Sequence, residues 1–315
     1  VSRTTGRRSS LVIGTRGSQL ALWQAEWVRA RLQAVAPSVS IRLQTIQTSG
    51  DKILDAPLAS IGGKGLFVKE IEDALFRGTI DLAVHSMKDV PSVLPEGLAI
   101  VCVVAREDAR DVLVTRDHLV FHDLPAGATV GTSSLRRQAQ LLARRPDLSI
   151  VMLRGNVNTR VRKLREGAYT AIVLAAAGLI RLGETHCVTE YLPLEVSLPA
   201  IGQGALGMES RADDAFVREL LVPLHDRPTA IAVSAERAFL KRLEGGCQVP
   251  IAGHAVVENQ TVNLEGLVAS LDGRCVIRDQ IEGPVEEAHA LGTSLANRVL
   301  NAGGKQILDV VYGRG

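Results

Sequence analysis

Aromatic residues are scarce. Phe, Trp and Tyr make up 3% of the 315 residues, which leaves few rings on which nucleobases can stack. Net charge is small, +2 at pH 7, so no global basic field points to nucleic acid either. Cysteine is limited to Cys102, Cys187, Cys247 and Cys275. None stands in a C-x-x-C pair and no histidine cluster lies at zinc spacing from them, so no metal site is expected. Scattered thiols of this kind fit a reducing compartment, and a cytoplasmic location is expected. No apolar run reaches the roughly 18 residues of a membrane span, so no membrane association is expected. Residues 1–10 carry Arg3, Arg7 and Arg8 but no apolar h-region, unlike a secretory signal. They read as a flexible tail or a processing remnant, and a processed targeting segment would place the protein in an organellar matrix. No internal repeat or low-complexity segment is evident.

What is abundant is ordinary for a folded globular chain: 46% hydrophobic and 22% charged residues, enough for sizeable cores. The length suits two or three domains. The positive charge is unusual in kind, with 29 arginines against 7 lysines among the 36 cations. Arginine offers a planar fork that fits carboxylates and phosphates.

The chain reads as successive strand–turn–helix units, the signature of α/β architecture. Leu11 to Gly14 is a short buried strand, Arg16 sits in the polar turn, and Ser18 caps a helix from about Gln19 to Val35. Ile41 and Leu43 alternate with polar residues as a second strand. Thr48 to Gly65 is long, polar and rich in glycine, a length of loop that is commonly functional; Thr48 to Gly62 is the candidate lid. Leu66 to Arg77 resumes helical spacing. The strand Asp81 to Val84 then delivers His85, Ser86, Met87, Lys88 and Asp89 before Pro91 stops it. In open α/β sheets ligands collect outside the carboxyl ends of strands. Leu98 to Val104 is a further buried run, and the charged stretch Arg106 to Asp111 looks like a crossing between domains.

From Asp111 the pattern repeats. A strand at 111–115 begins this unit, and Val130 to Arg137 opens a helix whose first hydroxyls can cap it; the strands at 150–153 and 171–174 are likewise followed by turns or helix starts bearing arginine. This architecture gathers Arg136, Arg137, Arg154, Arg160 and Arg181 around one crevice. There is no Walker glycine-lysine motif, so carboxylate and phosphate ligands stand equal. Pro199 to Glu209, rich in glycine, suits a chain returning to the first domain. Helices follow at 213–224 and 229–243, the latter with Ala232, Ala235, Phe239 and Leu243 inward. The last third changes character: strands at 253–258, 261–270 and 275–281 alternate with turn signals, and Pro284 opens a final helix to about Asn301. This reads as a small α+β domain with a three-stranded antiparallel sheet.

Two residues stand out chemically. Asp89 is a carboxylate set among cations and donors. Cys247 follows two glycines, which let another group approach its sulfur; it is either a buried small hydrophobe, a catalytic thiol or a point of covalent attachment. His85 is most simply a hydrogen-bonding structural residue. Cys102, in a strand, belongs to core.

Together the segments resemble the porphobilinogen deaminase (hydroxymethylbilane synthase) family. The resembling stretches are Gly14-Thr15-Arg16-Gly17-Ser18, Gly62-Gly63-Lys64-Gly65-Leu66-Phe67, His85-Ser86-Met87-Lys88-Asp89-Val90-Pro91, Gly131-Thr132-Ser133-Ser134-Leu135-Arg136-Arg137, Leu153-Arg154-Gly155-Asn156-Val157-Asn158-Thr159-Arg160, Gly202-Gln203-Gly204-Ala205 and Gly246-Cys247-Gln248-Val249-Pro250. The resemblance implies two periplasmic-binding-protein-like doubly wound domains with a cleft between them, and a third domain carrying the cysteine. It implies boundaries at 11–105 with 203–224 for the first domain, 106–202 for the second and 225–315 for the third. It implies a dipyrromethane cofactor on a thioether to Cys247, to which four porphobilinogen molecules are added head to tail with loss of ammonia; water then frees the linear tetrapyrrole, on the path to haem and chlorophyll. By the same resemblance Asp89 is catalytic. Ser86, Lys88, Asp89, Thr132, Ser134, Arg136, Arg137, Arg154 and Gly155 hold the cofactor. Arg16, Ser18, Gln24, Lys64, Arg154, Arg160, Arg181 and Gln203 bind substrate, with Arg181 serving elongation. The expected partners are porphobilinogen and the growing oligopyrrole, and a monomer is the default.

Two other readings share some of these features. A periplasmic-type anion-binding protein would have the cleft but no need of Asp89 or Cys247. A nucleic-acid binder would use the arginines but lacks the aromatic platforms.

Overall fold

The computed structural model describes residues 8–52, 68–245 and 249–313. β1 (Ser10–Thr15) leads through a polar turn into α1 (Gln19–Val35), whose first free amide is met by the Ser18 hydroxyl accepting from Ala21 N at 3.3 Å. β2 (Ser40–Thr45) and the single turn α2 (Ser49–Lys52) follow. Then come α3 (Lys69–Phe76), β3 (Leu82–Ser86), one 3-10 turn at Met87–Asp89, and β4 (Leu98–Val103). The predicted lid from Thr48 to Gly62 therefore lies mostly outside the described residues, as do Lys64 and Cys247.

The second unit holds β5 (Asp111–Thr115), β6 (Thr129–Gly131), α4 (Leu135–Arg144), β7 (Ser149–Val151), α5 (Val157–Arg165), β8 (Ala171–Ala175), α6 (Ala176–Leu182) and β9 (Glu190–Tyr191). β10 (Leu206–Arg211) then returns to the first sheet, followed by α7 (Ala215–Leu221) and α8 (Arg227–Arg242). The last unit is β11 (Ile251–Glu258), β12 (Thr261–Ala269) and β13 (Val276–Pro284), with α9 (Ala288–Val299) and α10 (Lys305–Val311).

The strand orders are β2-β1-β3-β10-β4, β7-β6-β8-β5-β9 and β11-β12-β13. In the first sheet β1 runs parallel to β2 and β3, and β10 lies antiparallel between β3 and β4. In the second, β6 runs parallel to β7 and β8 while β5 lies antiparallel to β8 and β9. Each sheet thus takes in one antiparallel strand at a point where the chain crosses over. This is the expected α/β class: two doubly wound units, and a third with an antiparallel three-stranded sheet. Each has its own apolar interior: Leu11, Ile13, Val28, Leu82 and Met208 in the first; Leu113, Phe121, Val130, Leu141 and Val173 in the second; Phe239, Leu264, Val268, Leu295 and Val299 in the third. Ala232, Ala235, Phe239 and Leu243 all face inward from α8 and its end, as their spacing predicts.

Some boundaries differ from expectation. Pro284 closes β13, pairing with Thr261, and stands at the N-cap of a 3-10 turn, Val285–Glu287, that leads into α9 from Ala288, so it sits just before the helical run rather than within its first turn. β13 is an edge strand, where a residue without an N–H costs no ladder bond. The helical stretch also runs past Asn301 to Val311, across an irregular turn at Gly303. At the other end, Ser9 and Arg8 are tied in rather than free. Ser9 O accepts from Ser40 N at 2.8 Å, and the Arg8 guanidinium pairs with Asp81 and Asp214.

The two crossings pack against each other. Gly204 adopts φ +87°, and a Cβ there would stand 2.3 Å from Glu107 O. Gly204 O in turn accepts from Glu107 N at 3.2 Å. A neighbouring Gly202, at φ +70°, would place a Cβ 2.7 Å from that of Met87. Only glycine lets the returning chain pass this close to both the outgoing crossing and the turn bearing Asp89.

Candidate active site

The carboxyl ends of β1, β3, β6 and β8 meet around a cleft of about 730 Å³, lined by Arg16, Ser18, Gln24, Ser86, Lys88, Asp89, Arg137, Arg154, Gly155, Arg160, Arg181 and Gly204, among others. A smaller cavity of about 160 Å³ adjoins it, lined by Lys88, Asp89, Ser134, Arg136, Arg137, Gln203, Val249 and Ile251. Among the described residues lining the larger cleft, six are Arg or Lys and one, Asp89, is a carboxylate. Asp89 also borders the smaller cavity. Val249 there is two residues beyond Cys247 in sequence, and Cys247 itself lies outside the described residues.

Each side chain is aimed by local structure. The 3-10 turn at Met87–Asp89 is pinned by Met87 N donating to Ala205 O at 3.0 Å. Ser86 accepts from Gln24 Nε2 at 3.0 Å, which ties β3 to α1. Ser134 caps α4 by accepting from Arg137 N at 3.4 Å, and Asn156 caps α5 by accepting from Thr159 N at 2.9 Å. Thr132 Oγ1 accepts from Ser134 N at 3.2 Å. The Ser18 and Ser134 oxygens are thus used as helix caps, and what each retains for a ligand is its O–H donor. Gly155 O accepts from Arg160 Nε at 2.8 Å, which points the rest of that guanidinium along α5. Arg181 donates from Nη2 to Gly204 O at 2.6 Å, joining α6 to the returning crossing.

The electrostatics follow from burial. Desolvation lowers Lys88 to about 8, with Asp89 opposing the shift and Arg137 adding to it. Lys88 is only half-buried by surface, because what it exposes opens into the cleft. Arg160 is lowered to about 10, first by burial and then by Arg137 and Arg154, with Asp89 opposing. Burial likewise lowers Arg181 to about 10. Cations crowded into a poorly solvated cleft favour a ligand that brings several negative charges.

One residue that sequence reasoning missed organises the cationic wall. Asp111, fully buried, opens β5, and in sequence it is legible only as the end of a charged crossing and the start of a strand. Its Oδ1 accepts from Arg137 Nη2 at 2.7 Å, Arg136 Nη2 at 3.2 Å and Gln203 Nε2 at 2.9 Å; its Oδ2 accepts from Arg136 Nη1 at 2.8 Å and Ser197 Oγ at 2.7 Å. The guanidiniums of Arg136 and Arg137 hold this carboxyl far below the usual carboxylate range, against the desolvation that would raise it. Arg136 also donates to Leu198 O at 2.6 Å, so both its terminal nitrogens are engaged within the protein. Gln203 is almost wholly buried and donates to Ala109 O and Asp111. It lies beneath the cleft, whereas Arg16, Arg154 and Arg160 line it. Arg137 divides its terminal nitrogens between Val173 O and Asp111 at the cleft edge. The signal for Asp111 was an acid at the head of the strand 111–115, but its partners are 25 or more residues away.

Among the described residues no cluster of His, Cys, Asp or Glu could hold a metal ion, and no helix is long and apolar enough to cross a membrane. Cys102 is core, with its thiol pushed up to about 12 by burial. Cys187 is half-buried and Cys275 exposed.

Comparison with known proteins bears on the same segments. Residues 11–219 match the family model for "Porphobilinogen deaminase, dipyromethane cofactor binding domain", and residues 230–301 that for "Porphobilinogen deaminase, C-terminal domain". The porphobilinogen deaminase of Syntrophotalea carbinolica is 61% identical over 300 residues, covering 95% of both chains. That of Trichlorobacter lovleyi is 59% identical over 304 residues, covering 96% of this chain and 97% of its own. A solved VFT2 domain of Bordetella pertussis BvgS covers 74% of this chain and 93% of its own at 15% identity, with a TM-score of 0.42. The first of these matches spans both sheets and the cationic cleft between them, and the second spans the sheet that follows the cysteine turn; the chain belongs to the porphobilinogen deaminase family.

Proposed function

We infer that this chain condenses porphobilinogen head to tail in the cationic cleft, with Asp89 as the proton-handling carboxylate and Cys247 as the cofactor anchor. The observation that carries the assignment of roles is that, among the described residues lining the cleft, Asp89 is the single carboxylate beside six cationic side chains. The donor set suits the family's cofactor: a dipyrromethane bears several carboxylates, and the wall offers arginine forks and hydroxyl donors. When bound, the cofactor supplies the nucleophilic pyrrole carbon to which the first substrate is joined.

The chain's own residues do the rest. Arg137, Arg154, Lys88 and the Ser86 and Ser134 hydroxyls would hold the cofactor carboxylates, with Thr132 and Gly155 shaping the turns behind them. Arg136 supports Arg137 through Asp111. Arg16, Arg160 and Arg181, with Ser18 and Gln24, would hold substrate carboxylates at about 1.5–3 kcal/mol per charge-assisted hydrogen bond; Lys64 belongs to the same expected set, and Gln203 supports it from below. Loss of ammonia from porphobilinogen leaves a cationic methylene-pyrrole. The Asp89 carboxylate accepts pyrrole N–H bonds and offsets that charge. The protonated aminomethyl group departs as ammonia, and Asp89 takes the proton lost by the attacked ring and passes it to that ammonia, which leaves the carboxylate as it began.

This reading carries the domain division given above, a monomer without nucleic-acid or membrane partners, and a cytoplasmic setting. Intact-mass measurement tests it directly. The purified protein should exceed its sequence mass by one dipyrromethane, and Cys247→Ser should remove the excess; an unmodified, fully active wild type would sink the cofactor anchor. Asp89→Glu should keep the added mass yet turn over at least about a hundredfold more slowly, on the scale of lost acid–base catalysis. Near-normal turnover would remove Asp89 from the chemistry.

A further inference from the structure

Beneath the Asp89 turn lies a group of titratable side chains that the mechanism leaves unused. His85 is the penultimate residue of β3, and Glu209 lies on the neighbouring β10. His85 Nε2 and Glu209 Oε2 are 2.9 Å apart, with the two side chains 4% and 0% exposed. α3 packs across both strands and brings down Glu72, itself buried. Glu209 Oε1 and Glu72 Oε1 are both buried without a hydrogen-bond partner. The charged groups facing Glu72 are Glu209 on β10, His85 on β3 and Asp73 on its own helix. Arg237 of α8 reaches Glu209 electrostatically.

Two interacting, buried carboxylates that each leave an acceptor unanswered are costly if both are charged. A proton on Glu72 removes one of the two negative charges and turns an orphan acceptor into a donor. Burial and the Glu209 charge push the Glu72 carboxyl up, and His85 only partly offsets them. The same end of β3 is held from the third unit, where the Arg237 guanidinium donates to Val90 O at 3.2 Å and Pro91 O at 2.6 Å. His85 and Arg237, both near Glu209, therefore bracket the Asp89 turn on its two sides.

We propose that Glu72, Glu209 and His85 form a buried proton-sharing cluster that positions the Asp89 turn, with Glu72 holding the extra proton. This rests on Asp89 being the reacting carboxylate, and it adds three positioning residues to that reading. Loss of the cluster proton at high pH places two charges between α3 and the sheet. The strand end then loses its fixed support, and turnover falls with it.

Infrared spectroscopy of the holoenzyme, with glutamate side chains labelled in carbon-13, reads the proton without reading activity. At pH 7 a label-sensitive protonated-carboxyl stretch is expected, absent from Glu72→Gln. No such band in the wild type, or a band that survives Glu72→Gln, overturns the proposal. The wild-type spectrum decides even if the variant does not fold. In turnover, Glu72→Gln cannot lose the proton, so the alkaline limb of kcat should move up by at least about half a pH unit, with KM changed by less than about twofold. An unchanged pH profile also overturns it. Asp89→Asn separates the two readings: it should leave the infrared band in place, and full turnover in that variant would refute the role of Asp89 without touching the band.

Discussion

Replacing Asp111 by Asn is the sharpest test of how the cleft is built. The substitution keeps the shape and removes the charge shared by Arg136 and Arg137, both of which are more than nine-tenths buried. It also turns one accepting oxygen into an NH2 group facing donors from Arg136, Arg137, Gln203 or Ser197. Removing one partner of a buried ion pair costs about 3–5 kcal/mol, because the charge left behind is uncompensated. The bonds from Arg137 to Val173 O and from Arg136 to Leu198 O survive, which places the loss toward the lower end of that range. At roughly 2–4 °C per kcal/mol for a unit of this size, the calorimetric transition should fall by about 6–12 °C at pH 7. The depressed pKa of Asp111 fixes the pH dependence. Its stabilisation is fully present above the unfolded value of about 3.9 and is lost only as pH falls below it toward the folded value. The gap between wild type and variant should therefore be flat from about pH 5 to 8 and close only in acid. Intact mass should show incomplete cofactor loading, because Arg137 loses the partner that orients it. A transition within about 1 °C of wild type, with full loading, would refute the assignment of Asp111 as the organiser of the wall.

The remaining predictions concern the crossing, the cleft lysine and the thiols. Gly204→Ala forces a Cβ toward Glu107 O and strains a positive φ; at about 1–3 kcal/mol for the backbone alone, plus the clash, a clear drop in melting temperature is expected. Cofactor-free Cys247→Ser protein should bind porphobilinogen less tightly as pH rises through about 8, where Lys88 loses its charge, and Lys88→Met should flatten that dependence in calorimetric titrations. The stability contribution of Lys88 runs the opposite way. Between about 8 and 10.5 the unfolded chain holds a proton the folded one lacks, so this contribution rises with pH. A thiol reagent applied to the native protein should label Cys275 quickly and Cys102 only after unfolding, as peptide mass mapping will show.

The reach of sequence reasoning is clearest where the signal is local. Ser18 and Ser134 were legible as caps because a hydroxyl before a helical run answers amides within three residues. The arginines after β7 and near the start of α4 were legible as a cluster because strand, turn and helix recur at short spacing and place successive strand ends on one side of a sheet. Pro284 misled for an equally local reason: proline suits both a first helical turn and an edge strand, and nothing nearby in sequence distinguishes them.

By itself, then, the sequence determined the α/β class, the antiparallel third sheet and the gathering of Arg137, Arg154, Arg160 and Arg181 around one cleft, because each rests on periodicity or on motifs a few residues long. Only tertiary structure decided how the charges are used. Asp111 meets Gln203 across 92 positions and His85 meets Glu209 across 124. Contacts of that range depend on which strands become neighbours, and here β5 and β10 each enter a sheet antiparallel at a domain crossing. That insertion commits Arg136 to a buried carboxylate, leaves Arg16, Arg154 and Arg160 lining the cleft, and sets Asp89 among them.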